Sequence, residues 1–270
     1  PGSLPAWQNK TVLLVDHIDT AFDEDVFEKT GERVSSPGAD DNATAVAALL
    51  QAGAVLTGSK PKHDIWLAHT TCEEFPADSL GARKLIEELL KQKQALSGVL
   101  VLDMLGHVPT ADVSPLFQIN VGLNAASQEL GALVLSASGQ VAPEYTPKVR
   151  FMNSPKSYLA NTDAIAFSEA GFPVVLINEH INFSDNLNRP NYHTSGDTIT
   201  HVDFTYAAAL SRTAILAAAT LADVSVVNGR VVSRPAPALP ANALALPALR
   251  QQTTHTCGPA SLFSVLRGFK

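Results

Sequence analysis

Cysteine is scarce in this 270-residue sequence, which has only Cys72 and Cys257. Two cysteines exclude the disulfide framework that holds small secreted domains together. The fold must therefore depend on a hydrophobic core, and 46% of the residues are hydrophobic, as in ordinary globular proteins. A chain of this length can bury one deep core. The sequence indicates one large domain with a short tail.

Positive charge and long apolar runs are also lacking. The 19 lysines and arginines are outnumbered by 26 aspartates and glutamates, which gives a net charge of −7. General nucleic-acid binding needs a basic face, so we expect no nucleic-acid partner. Since we find no apolar run near the roughly 20 residues of a bilayer span, we also expect no membrane span. The oligomeric state cannot be deduced from these numbers.

Three apolar, β-branched runs are typical of buried parallel strands, and they cover residues 11–16, 63–72 and 98–102. Each run ends in side chains of the kinds that bind metal ions. These are His17 and Asp19, then Glu73 and Glu74, then Asp103. Ligands of open α/β sheets bind at the carboxyl ends of the strands. Polar loops and solvated carboxylates explain each pair in isolation, so this alternative stays open.

The stretch Ser36-Pro37-Gly38-Ala39-Asp40-Asp41-Asn42 is the most informative part of the sequence. A Pro-Gly turn brings two carboxylates and an amide to the start of an Ala/Leu-rich helix predicted over residues 41–54. The simple alternative is a helix N-cap, for which Asp and Asn are both preferred. A cap alone does not account for the acidic and histidine positions elsewhere in the chain, which include the distant His193.

Two local pairings favour metal chemistry. Residues two apart in an extended chain point to the same side, so His17 and Asp19 can touch. A carboxylate that accepts one ring N–H of a histidine leaves the other nitrogen free for a metal. Adjacent strand-end residues point in different directions, so one of Glu73 and Glu74 can bind a metal while the other faces a substrate.

The remaining segments continue the alternation of strands and helices. Strands are predicted at residues 117–122, at a sheet edge, and 172–178, with helices over 79–94, 127–138, 162–170 and 203–222. Residues 20–37 show little periodicity and are interpreted as a loop. This order indicates a mostly parallel sheet with helices on both faces. We divide the chain into a domain over residues 1–227, a Pro/Ala-rich linker over 228–249 and a tail over 250–270.

Six motifs occur in an order that resembles the M28 family of dizinc aminopeptidases. They are VDHIDT (15–20), SPGADDNATA (36–45), CEEFPADSLGA (72–82), VLDMLG (101–106), TDAIAFSEAGFPVV (162–175) and YHTSGDT (192–198). The H-E-x-x-H signature of thermolysin-like proteases is absent. The resemblance implies a three-layer α/β/α fold of the zinc exopeptidase type, with a mixed, mostly parallel central sheet. Only about ten residues precede the H-x-D strand, where the family has further strands, as expected of an N-terminally trimmed domain.

The resemblance also implies roles for individual residues. The metal ligands for two zinc ions per chain would be His17, Asp41, Glu74, Asp103 and His193. Asp41 would bridge the two ions, His17 and Asp103 would complete one site, and Glu74 and His193 the other. The peptide bond after Asp41 is often cis in the family. Glu73 would act as general base, and Asp19 would orient His17.

The implied activity is hydrolysis of the N-terminal peptide bond of a peptide substrate. A related zinc amidohydrolase, carboxypeptidase or glutaminyl cyclase on the same fold is the alternative, followed by a non-catalytic binding module. One departure is Thr162-Asp163-Ala164, which lacks the histidine of the family's S-D-H stretch. Residues 252–262 weakly resemble the start of a C39-like cysteine peptidase domain, but the chain stops at Lys270, so we favour a helix over 259–267 with an inactive Cys257.

Overall fold

Six strands form one mixed sheet in this computed structural model, which describes residues 10–59, 61–108, 115–181, 191–224, 226–227 and 230–231. They are β1 (Lys10–His17), β2 (Asp64–Thr70), β3 (Ala95–Leu102), β4 (Leu116–Val121), β5 (Thr146–Phe151) and β6 (Val174–Glu179). Their order is β2-β1-β3-β6-β4-β5. Neighbouring strands are parallel except β4 and β6, which are antiparallel. Two further short strands, β7 (Val226–Val227) and β8 (Arg230–Val231), pair with each other.

Helices cover both faces of the six-stranded sheet. They are α1 (Glu24–Thr30), α2 (Ala43–Leu56), α3 (Leu80–Lys91), α4 (Ala125–Val141), α5 (Ala164–Glu169) and α6 (Phe204–Leu221). Val12 and Leu14 of β1 join a core cluster with α2, α4 and α6, whereas Leu13 and Val15 join a second cluster with α3 and α5. A strand buried on both faces must be apolar throughout, which is why β1 reads as a continuous hydrophobic run. The predicted three-layer architecture is confirmed.

Helix α6 lies in the core. Asp203 caps it by accepting hydrogen bonds of 2.9 Å from the backbone N–H groups of Thr205 and Tyr206. By length and composition alone α6 could cross a membrane, in contrast to the expectation from the sequence. However, 56% of its most apolar window is buried within the protein, because α6 packs against α2 and α4. Its hydrophobicity is explained by the core.

Two predictions about local structure were wrong. Residues 20–37 contain the helix α1, which buries no residue and so has no apolar periodicity to detect. Strand β4 is not at an edge, because β5 pairs beside it. Since β5 is only partly buried and contains Pro147, its sequence lacks the pattern of a buried strand. Residues 232–270, with Cys257, lie outside the described residues.

Parallel pairing brings three strand ends to one edge of the sheet. His17 at the end of β1 is in register with Thr70 at the end of β2, and Val15 with Val101 near the end of β3. The side chains that directly follow these strands therefore meet at this edge. The first residues of α2 reach the same place.

Candidate metal centre

Asp41 lies between two histidines and presents one carboxylate oxygen to each. Its Oδ1 is 3.2 Å from Nε2 of His17, and its Oδ2 is 3.2 Å from Nε2 of His193. The side chains of His17 and Asp41 are buried, and that of His193 is 18% exposed. A carboxylate in this position can bridge two cations, each of which would also contact one imidazole nitrogen.

One further carboxylate completes each half of the cluster. On one side, Asp103 Oδ1 lies 3.6 Å from Nε2 of His17. On the other, Glu74 Oε2 lies 3.3 Å from Nε2 of His193. In each set of three, which includes Asp41, the candidate ligand atoms all lie within 4.8 Å of one another. The structure thus brings together the five residues that the sequence predicts as metal ligands.

Two buried atoms in the cluster are compatible with metal ligation. His17 Nε2 and Glu74 Oε1 are shielded from solvent and have no hydrogen-bond partner among the described residues. Buried polar atoms are costly unless something binds them. Imidazole nitrogens and carboxylate oxygens are the donors that suit zinc. The donor set therefore fits a pair of divalent cations.

The ionisation of the cluster depends on burial and on its mixed charges. Burial by itself lowers the pKa of His17, but Asp103, Asp19 and Asp41 raise it well above its usual value. Burial and the Asp41 carboxylate raise the pKa of Glu74 to about 8. Burial opposes ionisation of Asp41 too, yet the two histidines hold its pKa below the usual range. In the metal-free protein the carboxylates outnumber the imidazoles, and protonation of Glu74 relieves part of their mutual repulsion.

Glu73 reaches the cluster without belonging to either ligand set that contains Asp41. Its Oε2 is 4.0 Å from Nε2 of His17, and its side chain is 10% exposed. Burial first, and then the nearby Asp103 carboxylate, raise the pKa of Glu73 to about 10. Two divalent cations beside it would oppose this rise. Glu73 is therefore placed to exchange a proton with a molecule in the centre of the cluster.

Asp19 contacts His17 differently from the expectation. The nearest atom to His17 Nδ1 is the backbone carbonyl oxygen of Asp19, at 3.0 Å, while its carboxylate is 3.7 Å away. That carboxylate instead accepts backbone hydrogen bonds from Glu73, at 3.3 Å, and Glu74, at 3.1 Å. Despite burial, His17 and these N–H groups lower the pKa of Asp19. Asp19 thus joins the end of β1 to the pair of glutamates after β2.

The start of α2 is not held by a side-chain cap. Asn42 occupies the N-cap position but makes no side-chain cap hydrogen bond, and its Nδ2 donates to Leu102 O at 3.0 Å. The backbone N–H groups of Asp40 and Asp41 donate to the two carboxylate oxygens of Asp197, at 2.9 and 3.1 Å. The simple N-cap alternative for this stretch was wrong. The Asp41–Asn42 peptide bond is cis, as is Asp103–Met104.

Several residues near the cluster were missed at the level of sequence. The ring of Tyr192 stacks on His193 with 3.7 Å between centroids, and its hydroxyl lies 3.0 Å from that of Tyr158. Asp163 is buried, accepts a hydrogen bond from Thr70, and has its pKa raised to about 6 by burial. The adjacency of Tyr192 to His193 was a usable signal, but Tyr158 could not be linked to them without the fold.

Comparisons with known proteins relate the chain to peptidases and aminopeptidases. The model of peptidase family M28 matches residues 2–218. Leucine aminopeptidase 1 of Sclerotinia sclerotiorum is 26% identical over 211 residues, which cover 75% of this chain and 50% of the relative. The structure of the LapA aminopeptidase of Legionella pneumophila matches with a TM-score of 0.64 and 16% identity, over 80% of this chain and 52% of that one. For BSAP, a zinc aminopeptidase from Bacillus subtilis, the TM-score is 0.59 and the identity 19%, over 78% and 46%.

The present chain spans about half the length of these relatives. At these identities the two solved structures show that the fold is shared. The matching residues of the family model run from before β1 to within α6, so they include the whole metal cluster.

Proposed function

Because this chain belongs to peptidase family M28, we propose that it is a metal-dependent aminopeptidase that hydrolyses the N-terminal peptide bond of peptides. The observation that carries the proposal is the position of Asp41, whose two oxygens each lie 3.2 Å from a different histidine. In a two-metal hydrolase the cations lie about 3.5–4 Å apart, and a carboxylate between two imidazoles can bridge such a pair. The similarity to a leucine aminopeptidase supports the same activity.

Two zinc ions per chain are part of this proposal. His17, Asp41 and Asp103 would hold one ion, and Asp41, Glu74 and His193 the other. When bound, such a pair lowers the pKa of the attacking water and polarises the scissile carbonyl group. Asp19 would act indirectly, since its carbonyl oxygen orients His17 and its carboxylate fixes the backbone of Glu73 and Glu74.

Glu73 would be the general base and then the general acid. Its carboxylate lies beside the cluster, with Oε2 4.0 Å from Nε2 of His17, and it belongs to neither of the two ligand sets that contain Asp41. From there it would accept a proton from the attacking water and deliver it to the nitrogen of the departing amine. Burial of the side chain excludes bulk water that would compete for this proton.

The substrate would enter through a cleft that opens beside Asp41. Its lining is Asp40, Asp41, Met104, His107, Asn191, Tyr192, Asp197 and His201. A free substrate amino group could bind one of the two cations and lie against the acidic side chains of this lining, which an acetylated amino group would not do. This interaction is the physical basis for proposing an aminopeptidase.

The test combines metal content with a substrate panel. The full chain is loaded with zinc, its metal stoichiometry is measured, and it is assayed on aminoacyl-p-nitroanilides with free and with N-acetylated amino groups. The proposal expects two zinc ions and hydrolysis of the free substrates only. Equal hydrolysis of acetylated substrates would identify another amidohydrolase, a single bound ion without hydrolysis would favour a cyclase, and two bound ions without hydrolysis would contradict the proposed activity. A chain that binds no metal would contradict the proposal altogether.

The proposed domain extends over residues 1–227, with a linker over 228–249 and a tail over 250–270. The match to the family model ends at residue 218, within the proposed domain.

A further inference from the structure

The two histidines of the candidate metal centre have different partners at Nδ1, the ring nitrogen that faces away from Asp41. Nδ1 of His17 faces the backbone carbonyl oxygen of Asp19 at 3.0 Å. Nδ1 of His193 faces a carboxylate instead, since Glu24 Oε1 is 3.5 Å away. Whereas His17 is 2% exposed, His193 is 18% exposed and the Glu24 side chain 58%. The two halves of the centre are therefore supported differently.

Glu24 belongs to a segment that makes several hydrogen bonds with the loop carrying His193. This segment, residues 23–36, begins with α1, and it contacts three consecutive residues of the loop. The backbone N–H of Glu24 donates to His193 O at 2.8 Å. The backbone N–H and the hydroxyl of Ser195 both donate to the Asp25 carboxylate at 2.9 Å. The Ser36 hydroxyl donates to Thr194 O at 3.0 Å.

The backbone conformation of His193 explains why these hydrogen bonds are needed. Its φ angle is +53°, in the left-handed region that residues with a side chain rarely adopt. An unfavourable backbone conformation persists only where the surroundings enforce it. The bonds with Glu24, Asp25 and Ser36 hold the backbone of His193 and of the two residues that follow it. They thereby fix the direction in which the imidazole projects towards Asp41 and Glu74.

We propose that Glu24 is a positioning residue for His193, which holds the proton on Nδ1 and so directs Nε2 towards the cation shared by Asp41 and Glu74. The inference rests on the proposed two-metal function. A carboxylate that accepts the Nδ1 proton fixes the tautomer and makes the opposite nitrogen a better ligand. The pair is exposed, so it contributes little to folding stability and its effect falls on metal affinity.

The experiment measures zinc binding by the full chain after its metal has been removed with a chelator. Wild type, Glu24→Gln and Glu28→Gln are titrated calorimetrically. Glu28 is an exposed residue of the same helix, so its replacement removes the same charge without touching His193. Loss of an outer partner of a ligating histidine lowers metal affinity about 10- to 100-fold, and we expect about tenfold here because Glu24 is exposed. Only one of the two binding steps should weaken.

A second measurement separates positioning from a general effect on structure. In the zinc-loaded protein, the proton resonance of His193 Nδ1–H should move upfield in Glu24→Gln and stay in place in Glu28→Gln. Equal zinc affinities in the two variants would overturn the inference. So would weakening of both binding steps alike, or an unmoved resonance in Glu24→Gln. If the wild type itself binds fewer than two zinc ions, the proposed function fails first, and the inference fails with it.

Discussion

Nδ2 of Asn42 donates a 3.0 Å hydrogen bond to the carbonyl oxygen of Leu102, the last residue of β3. The bond joins the residue after Asp41 to the residue before Asp103. Both carboxylates face Nε2 of His17, at 3.2 and 3.6 Å. One buried amide thus sets the distance between the start of α2 and the end of β3, and with it the geometry of one candidate metal site.

Replacement of Asn42 by alanine should therefore affect both stability and metal binding. Removal of one partner from a buried hydrogen bond costs about 1–3 kcal/mol, so we expect a loss of that size in the free energy of unfolding. The affinity for the cation between His17 and Asp103 should fall as well. Denaturant unfolding of the metal-free chain and zinc titration measure the two effects. Asn153→Ala, at an exposed asparagine, is the control and should change neither.

Replacement of Glu73 by glutamine should separate chemistry from metal binding. Glutamine keeps the shape of the side chain but cannot accept the proton, so turnover should fall by about 10²–10⁴-fold, while two zinc ions stay bound. The neighbouring Glu74→Gln is the matched comparison, because it changes a proposed ligand and should weaken metal binding itself. Activity of Glu73→Gln close to that of the wild type would exclude Glu73 as the base.

Loss of His193 should abolish or weaken one cation site. His193→Ala removes the only imidazole of the ligand set formed by Asp41, Glu74 and His193, so we expect a stoichiometry of one tightly bound zinc instead of two. The control is His201→Ala, at an exposed histidine that belongs to neither ligand set. Metal analysis after dialysis against a weak chelator measures how many zinc ions each variant retains. Two ions held by His193→Ala with unchanged affinity would contradict the assignment.

The raised pKa of the buried Asp163 predicts how folding stability depends on pH. Burial raises its pKa from 3.8 to about 6, so the folded state holds the proton at pH values where the unfolded state has released it. This group therefore lowers stability as pH rises from about 4 through 6. A rise from 3.8 to about 6 corresponds to at most about 3 kcal/mol.

For the metal-free chain, the free energy of unfolding of Asp163→Asn should accordingly fall less between pH 4 and pH 7 than that of the wild type. Urea titrations across this pH range provide the comparison, with the exposed Asp223→Asn as the control. Parallel stability curves for the wild type and Asp163→Asn would show that Asp163 does not titrate in this window.

Most of the fold could be predicted because its pattern is local. The continuous apolar runs of β1 and β3 indicate strands buried on both faces, and the Leu and Ile spacing of α3 indicates a helix with one buried side. Helix α1 and strand β5 were missed for the opposite reason. Neither buries enough apolar surface to leave a pattern, and both are held by contacts with distant parts of the chain.

The sequence by itself determined the candidate ligand types and their order. It also placed His17, Glu74 and Asp103 after strands, and parallel strands bring their carboxyl ends to one edge. Only the tertiary structure decided how the oxygens of Asp41 are shared between His17 and His193, and that Asp19 offers its carbonyl rather than its carboxylate to His17. It also brought the Glu24 carboxylate close to Nδ1 of His193. Apart from the contact of Asp19 with His17, these relationships join residues far apart in the chain through distances of 3 to 4 Å, which depend on packing and leave no mark on local composition or periodicity.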